Sequence, residues 1–529
     1  MSAKRHEATT RSISMYLTQG FHRSLQRDPD AVMTVHGDRT RTFGEVADRV
    51  ARLAAAIRRL GVRSHDRVGV LALNSDRYTE AILATAWADA VLTPVNTRWV
   101  AGEIAYSLAD CECSVLIVDD AFAPLGPALK SLYPGLTTLI HCGDAPCPDG
   151  MLSYEGLIAE HEPIADARRS GSALAGLFYT GGTTGFPKGV MLSHANIVTS
   201  GLGAAGHGLF RAGGTYLHVA PMFHLADFTG WIVQTLLGGK HVSVPAFNPD
   251  TLLDVIEQQQ VTGMTLVPAM IQAIVDNPGT AGRDLGCVES ILYGGSPIAQ
   301  GLLKKAMDAF PRAGFTQAYG MTELAGLATF LLPSDHQLGH LESAGRALLH
   351  TEVRIQNADG AVLPVGSVGE IAVRGGNIMQ GYWNRPDDTA AAIVDGWLRT
   401  GDVGRLDDQG YLYIVDRLKD MIVTGGENVY SVEVENALSA HPAVRDCAVI
   451  GLPDDRWGER VHAVVVLREQ GTSPDDLRVF VKSAIAGYKT PRTFEFVESL
   501  PRTPTGKVLK RDLRSERLST TDEKPAPAI

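Results

Sequence analysis

The sequence is short of the features that mark several large protein classes. Six cysteines in 529 residues, at 111, 113, 142, 147, 287 and 447, are too sparse for a disulfide-stapled fold. Cys111-Glu112-Cys113 leaves one residue between its thiols, fewer than zinc pairs use, and no matching pair follows. No run of about 18 apolar residues occurs, so no transmembrane helix is expected. The opening MSAKRHEATTRSISMYL lacks the apolar stretch of a secretory signal, and these absences together point to a cytoplasmic protein. Positive charge is also scarce. The chain has 48 Lys and Arg against 59 Asp and Glu, a formal net charge of -11, the wrong balance for a nucleic-acid-binding surface. Any phosphate-bearing ligand must then be held by local cations and backbone donors, not by the overall field. The common GxxxxGK[ST] nucleotide loop is missing too, because no Gly-Lys pair is followed by Ser or Thr.

What is present is an ordinary globular composition, 45% hydrophobic and 20% charged, with room for two or more domains. Thr42-Phe43-Gly44-Glu45 reads as a capping box, followed by Val46, Val50, Leu53, Ile57 and Leu60 at helical spacing, with Gly61 as the stop. Strands are expected over 68–73, 115–118, 174–179, 264–267 and 290–293, with helices between them, for example over 249–260. That alternation predicts an α/β fold with parallel sheets covered by helices. From about Glu352 the pattern turns to shorter β segments (353–355, 369–373, 411–415), which predicts a β-barrel-like subdomain. The last stretch has its own α+β patterning, with strands over 446–451, 462–467 and 493–497 and helices over 432–439 and 475–486. The polar, proline-containing tail from Ser519 reads as disordered. The charged stretch Asp416-Arg417-Leu418-Lys419-Asp420 marks a boundary between a large domain over 1–416 and a small domain over 421–529.

The most informative segment runs from Leu177 to Val190, an apolar strand entering a loop of glycines, threonines and one lysine. Gly181, Gly182 and Gly185 let backbone N–H groups approach an anion, Thr180, Thr183 and Thr184 add hydroxyl donors, and Lys188 adds a mobile charge. The whole string resembles the phosphate loop of the adenylate-forming superfamily, which includes acyl-CoA synthetases, aryl-CoA ligases, luciferases and peptide-synthetase adenylation domains. Gly181 stands where that pattern usually has serine, which removes one hydroxyl but leaves the backbone donors. Further motifs resemble the same family, in the family's order, over roughly residues 15–515.

That resemblance implies an AMP-forming acid–CoA ligase using ATP, Mg²⁺ and CoA, with a small-molecule carboxylic acid as substrate and no nucleic-acid partner. It implies a large domain, a hinge over 417–420 pivoting at Lys419, and a mobile C-terminal domain. In Gln317-Ala318-Tyr319-Gly320-Met321-Thr322-Glu323, Glu323 is the implied Mg²⁺ ligand, Thr322 a donor to the α-phosphate and Tyr319 a stacking partner for adenine. Gly294, Gly295 and Ser296, before Pro297, form the implied adenine segment, with Gly320 beside it. Asp402 and Arg417 reach the ribose, and Lys507 bridges the acid carboxylate and the α-phosphate. Because that lysine must stay protonated, its surroundings are expected to be acidic enough to keep its pKa high. Gly425 and Gly426 line the implied pantetheine tunnel, and Trp457, with Lys489 and Arg492, is an expected CoA contact. Pro221-Met222-Phe223-His224 resembles the substrate gate, with His224, Ala226, Asp227 and Met321 as the expected acid pocket. The small Ala226 favours a fatty acid, a cinnamate- or benzoate-like acid is the alternative, and transfer to an amine in place of CoA is a rival outcome. A homodimer is left open.

Overall fold

The computed structural model describes residues 14–180, 187–296, 298–424, 427–454, 456–469, 471–503 and 507–519. The capping box forms as its sequence requires. The Glu45 N–H donates to Thr42 Oγ1 at 3.2 Å and the Thr42 N–H donates to Glu45 Oε2 at 2.8 Å. The helix Phe43–Arg59 then buries Val46, Val50, Leu53 and Ile57, and Gly61 takes φ +91° just past its end.

Two large sheets dominate the described residues. One has eight strands, with Arg67–Leu71, Val91–Pro94, Val115–Val118 and Thr138–His141 parallel at its centre. Its far edge is antiparallel, built from Leu174–Thr180, Lys188–Ser193 and the two-residue strand Gly381–Tyr382. The other has nine strands, with Thr215–His218, Lys240–Ser243, Gly263–Leu266, Ser290–Gly294 and Gly314–Tyr319 parallel. Helices lie between the two. The helix Asp76–Trp87 touches strands of both sheets, and all twelve of its residues are buried. The helices His194–Gly206 and Leu225–Leu237 pack together, the first against the eight-stranded sheet and the second against the nine-stranded one.

The expected β-barrel-like part is, among the described residues, an open five-stranded antiparallel sheet over 351–417, in which Trp397–Leu406 pairs with both Gly369–Gly375 and Leu412–Arg417 and no pairing joins the outer strands into a barrel. The C-terminal part has its own five-stranded sheet, centred on the long hairpin Val444–Asp454 and Gly458–Leu467, with the helices Ser431–Ser439 and Pro474–Ala484. Its own apolar core gathers Val434, Leu438, Val449, Val465, Leu477 and Val481. Between the two lies the charged stretch, an exposed turn at Leu418 and Lys419 that begins from a buried residue. Asp416 is 2% exposed and accepts from both the backbone N–H and the hydroxyl of Ser431 across the junction.

This architecture brings the candidate segments to one place. The strands Leu174–Thr180, Ser290–Gly294 and Gly314–Tyr319 each end where a candidate loop begins. Open α/β sheets bind ligands at that carboxyl edge, where backbone donors at strand ends are not used by the ladder.

Candidate active site

The phosphate-loop candidate is a hairpin. Thr180 and Lys188 are cross-strand partners, so the loop between them starts and ends at one rung of the ladder. Gly181, Gly182, Thr183 and Thr184 lie outside the described residues. The Lys188 ammonium is 5.2 Å from the centre of the Tyr382 ring and 3.0 Å from Asp388 Oδ2. Tyr382 arrives there because Gly381–Tyr382 pairs with Lys188–Ser193, which sets Tyr382 opposite Val190. Its hydroxyl donates to Glu323 Oε1 at 2.8 Å. One aromatic ring therefore joins the loop lysine to the candidate metal ligand. Sequence reasoning missed Tyr382, because a two-residue strand has no periodicity to detect.

Glu323 lies in the single 3-10 turn Thr322–Leu324 and is 7% exposed. Burial raises its pKa, opposed by the Tyr382 hydrogen bond and the more distant Arg417 charge. The turn is held by its carbonyls. Asn377 Nδ2 donates to both Leu324 O and Leu327 O at 2.7 Å, and Ser200 Oγ donates to Ala325 O at 2.9 Å. Gly320 is required by close approach, since a Cβ there would stand 2.2 Å from Gly326 O. The carboxylate suits a hard divalent cation such as Mg²⁺, because one donor from Tyr382 leaves acceptor capacity free. Among the described residues no group of three His, Cys, Asp or Glu side chains could hold a metal by itself. A cation at Glu323 would complete its shell with water and phosphate oxygens, the usual mode for Mg²⁺.

Asp402 is 6% exposed and held on both oxygens. The Tyr319 hydroxyl donates to Oδ2 at 2.8 Å and Arg417 Nε lies 3.0 Å from Oδ1. Asp402 and Arg417 are directly opposed on neighbouring antiparallel strands, which fixes that pair by register. Tyr319 is anchored at the tip of its ring, in contact with an element of another sheet. The adenine candidate follows the strand Ser290–Gly294. Gly294 sits so close to Ala318 that a Cβ would meet Ala318 O at 2.4 Å, and Gly295 takes φ +80°. Ser296 is half-buried, and Pro297 lies outside the described residues.

Lys507 is backed by Thr503, whose hydroxyl accepts its backbone N–H at 3.0 Å. Its ammonium lies within electrostatic reach of Arg417, Asp402, Lys419 and Asp420. The expectation of a raised or normal pKa is overturned: it is lowered to about 7. Burial is the main cause, and the repulsion of Arg417 comes next, with Asp402, Lys419 and Asp420 as smaller influences of both signs. Lys419 is exposed at the turn where the Asp420 and Met421 N–H groups donate to Arg417 O.

In the acid-pocket candidate, exposure alternates. His224 and Ala226 keep part of their surface open, while Leu225 is 3% and Asp227 0% exposed. His224 caps the helix Leu225–Leu237 by accepting the Ala226 N–H on Nδ1 at 3.1 Å, and burial lowers its pKa to about 4. Met321 packs on the apolar cluster that contains Phe223 and Leu225. Asp227 is a correction. It does not line a pocket but turns beneath the helix, with Oδ2 2.6 Å from His218 Nδ1 and Oδ1 accepting from the Tyr216 hydroxyl at 3.3 Å. It directly follows Ala226, and one step along the chain is about 100° of helix. Among the expected CoA contacts, Gly425 and Gly426 lie outside the described residues. The half-buried Trp457 has Arg456 at 4.9 Å and Arg492 at 4.6 Å from its ring centre. Lys489 is committed to Glu433 at 2.6 and 2.8 Å.

Comparison with known proteins gives a family for this arrangement. A family model described as AMP-binding enzyme matches residues 21–383, and one described as AMP-binding enzyme C-terminal domain matches 433–507. A feruloyl-CoA synthase of Amycolatopsis sp is 38% identical over 494 residues, covering 93% of this chain and 97% of that protein. The medium/long-chain-fatty-acid–CoA ligase FadD8 of Mycobacterium tuberculosis is 35% identical over 510 residues, covering 93% and 88%. Among solved structures, the amide bond synthetase McbA from Marinactinospora thermotolerans superposes with a TM-score of 0.84 at 30% identity, covering 94% of this chain and 99% of that one. The chain belongs to the AMP-binding enzyme family and, within the adenylate-forming superfamily, to the ATP-dependent acyl-CoA synthetases.

Proposed function

We propose that the protein joins a fatty acid to CoA in two steps at one site. In the first, a carboxylate oxygen attacks the α-phosphorus of ATP and the bond to pyrophosphate breaks, giving an acyl-adenylate. In the second, the CoA sulfur attacks the acyl carbon and AMP leaves. The observation that carries this reading is the convergence of Lys507 with Asp402 and Arg417, residues far apart in the chain, beside the Glu323–Tyr382–Lys188 assembly.

In this reading Asp402, aligned by Tyr319 and Arg417, holds the ribose, and Gly294, Gly295 and Ser296 flank the adenine. Lys188 and the hairpin loop hold the departing pyrophosphate, and Thr322 donates to the α-phosphate. Glu323 would hold a Mg²⁺ ion, which would neutralise charge on the phosphate oxygens. Lys507 draws the two anions together. Its lowered pKa is suited to this, since the triphosphate and carboxylate bring the negative charge that holds its proton. A rotation about 417–420, with Lys419 as pivot, then withdraws Lys507 and admits CoA, whose nucleotide meets Trp457 and Arg492.

His224 is neutral at working pH and closes the acid site without adding charge. The small Ala226 and the apolar Met321 favour an alkyl chain. A second reading, an aromatic acid, is favoured by the 38% identity to a feruloyl-CoA synthase. The test is pyrophosphate release over fatty, cinnamate-like and benzoate-like acids, with and without CoA and with an amine as alternative acceptor. Fatty acids should give the highest kcat/KM, with CoA-dependent AMP formation. Pyrophosphate release without a CoA thioester would overturn the ligase reading, and preference for aryl acids would overturn the substrate.

A further inference from the structure

Beneath the pocket runs a polar circuit that the two-step reaction does not use. Asp227 Oδ2 is 2.6 Å from His218 Nδ1, His218 Nε2 is 2.9 Å from His241 Nδ1, and His241 Nε2 is 3.3 Å from Thr235 Oγ1. All four residues are at most 2% exposed. Asp227 and Thr235 are eight residues apart on the helix Leu225–Leu237, two turns along one face. His218 and His241 stand on the adjacent parallel strands Thr215–His218 and Lys240–Ser243, with their rings stacked at 5.2 Å. The circuit therefore ties one helix face to two strands at two levels.

Its position gives it a consequence for the pocket. His218 ends the strand that feeds the loop over 219–224, and Asp227 lies in the first turn of the helix that leaves it. The pair closes that loop at its base. Asn74 clamps the same loop, donating from Nδ2 to His218 O at 3.2 Å and Ala220 O at 2.8 Å and accepting the Met222 N–H at 2.8 Å. His224 and Ala226 sit on the other side of that turn, with part of their surface open. Apolar packing alone leaves a buried helix several near-equal settings, whereas buried directional bonds select one.

We propose that Asp227, acting through His218, is a positioning residue that sets where His224 and Ala226 meet the acid, so that the buried circuit determines acid selectivity. The inference rests on the acid-pocket reading above. Removing the carboxylate frees the helix start to shift, and a shift of a fraction of an ångström changes which acids fit.

The test compares wild type, Asp227→Ala, Asp227→Asn and Thr235→Val by pyrophosphate release over a series of acids of increasing length. Asp227→Asn keeps an oxygen that accepts from His218 and should hold the wild-type ranking of acids. Asp227→Ala should raise KM for the best wild-type acid by about tenfold and reorder kcat/KM across the series, with KM for ATP within about twofold. Thr235→Val, which cuts the far end of the circuit with little change of shape, should shift the ranking in the same direction by less. It carries the test alone if Asp227→Ala does not fold. An unchanged ranking in the folded variants, or an equal loss for every acid and for ATP, overturns the positioning role. Failure of wild type to release pyrophosphate with any acid instead overturns the ligase reading on which the inference rests.

Discussion

The lowered pKa of Lys507 makes a prediction about pH that separates its chemistry from its packing. An ammonium moved from 10.5 to about 7 carries a penalty of about 5 kcal/mol against its charged form, at about 1.4 kcal/mol per pKa unit. In free enzyme the protonated fraction falls above pH 7, so kcat/KM for ATP in the adenylation half-reaction should fall about 50-fold between pH 7 and 9. At saturating ATP and acid the bound anions favour the ammonium, so kcat should hold its value to higher pH. The assay is acid-dependent ATP–pyrophosphate exchange at constant ionic strength. Lys507→Arg, which does not titrate in this range, should have a lower but pH-flat kcat/KM. Lys507→Ala should lose adenylation by about 100-fold or more and still form thioester from supplied acyl-adenylate and CoA. A wild-type kcat/KM that stays flat from pH 7 to 9, or equal loss of both half-reactions in Lys507→Ala, would refute the reasoning.

Tyr382→Phe removes the hydroxyl that donates to Glu323 at 2.8 Å and keeps the ring beneath Lys188. A hydrogen bond to a charged group contributes about 1.5 kcal/mol or more, so KM for MgATP should rise roughly tenfold and the Mg²⁺ requirement should increase; an unchanged Mg²⁺ titration would sink this role. Gly320→Ala places a Cβ 2.2 Å from Gly326 O, backbone that Asn377 and Ser200 hold in position nearby. Denaturant unfolding should show a loss of about 1–3 kcal/mol, with exchange activity reduced in the folded protein; wild-type values of both would show that the turn yields freely.

Much of this site can be read from the chain because its parts are local. The run from Leu177 to Lys188 announces a strand and its return, and the structure adds that Thr180 and Lys188 share a rung, while residues 181–186 lie outside the described residues. The capping box at Thr42 and Glu45 is local in the same way. Three features fail to be legible for a common reason: each depends on which residues from elsewhere face it. Tyr382 matters because a two-residue strand pairs beside Lys188 and aims its hydroxyl at Glu323, contacts across 194 and 59 positions that no spacing encodes. Asp227 belongs to a helix buried on nearly every side, so hydrophobic periodicity cannot say which face meets the pocket. That His218 and His241 lie on neighbouring parallel strands decides it, because a buried carboxylate turns to whatever donors the fold supplies. The proton of Lys507 is governed by burial and by charges at 402, 417, 419 and 420, none of them near it in the chain. Sequence motifs therefore name candidate groups for a reaction. The protonation state of each is a property of the assembled surface, and here burial and the Arg417 charge lower the Lys507 pKa to about 7.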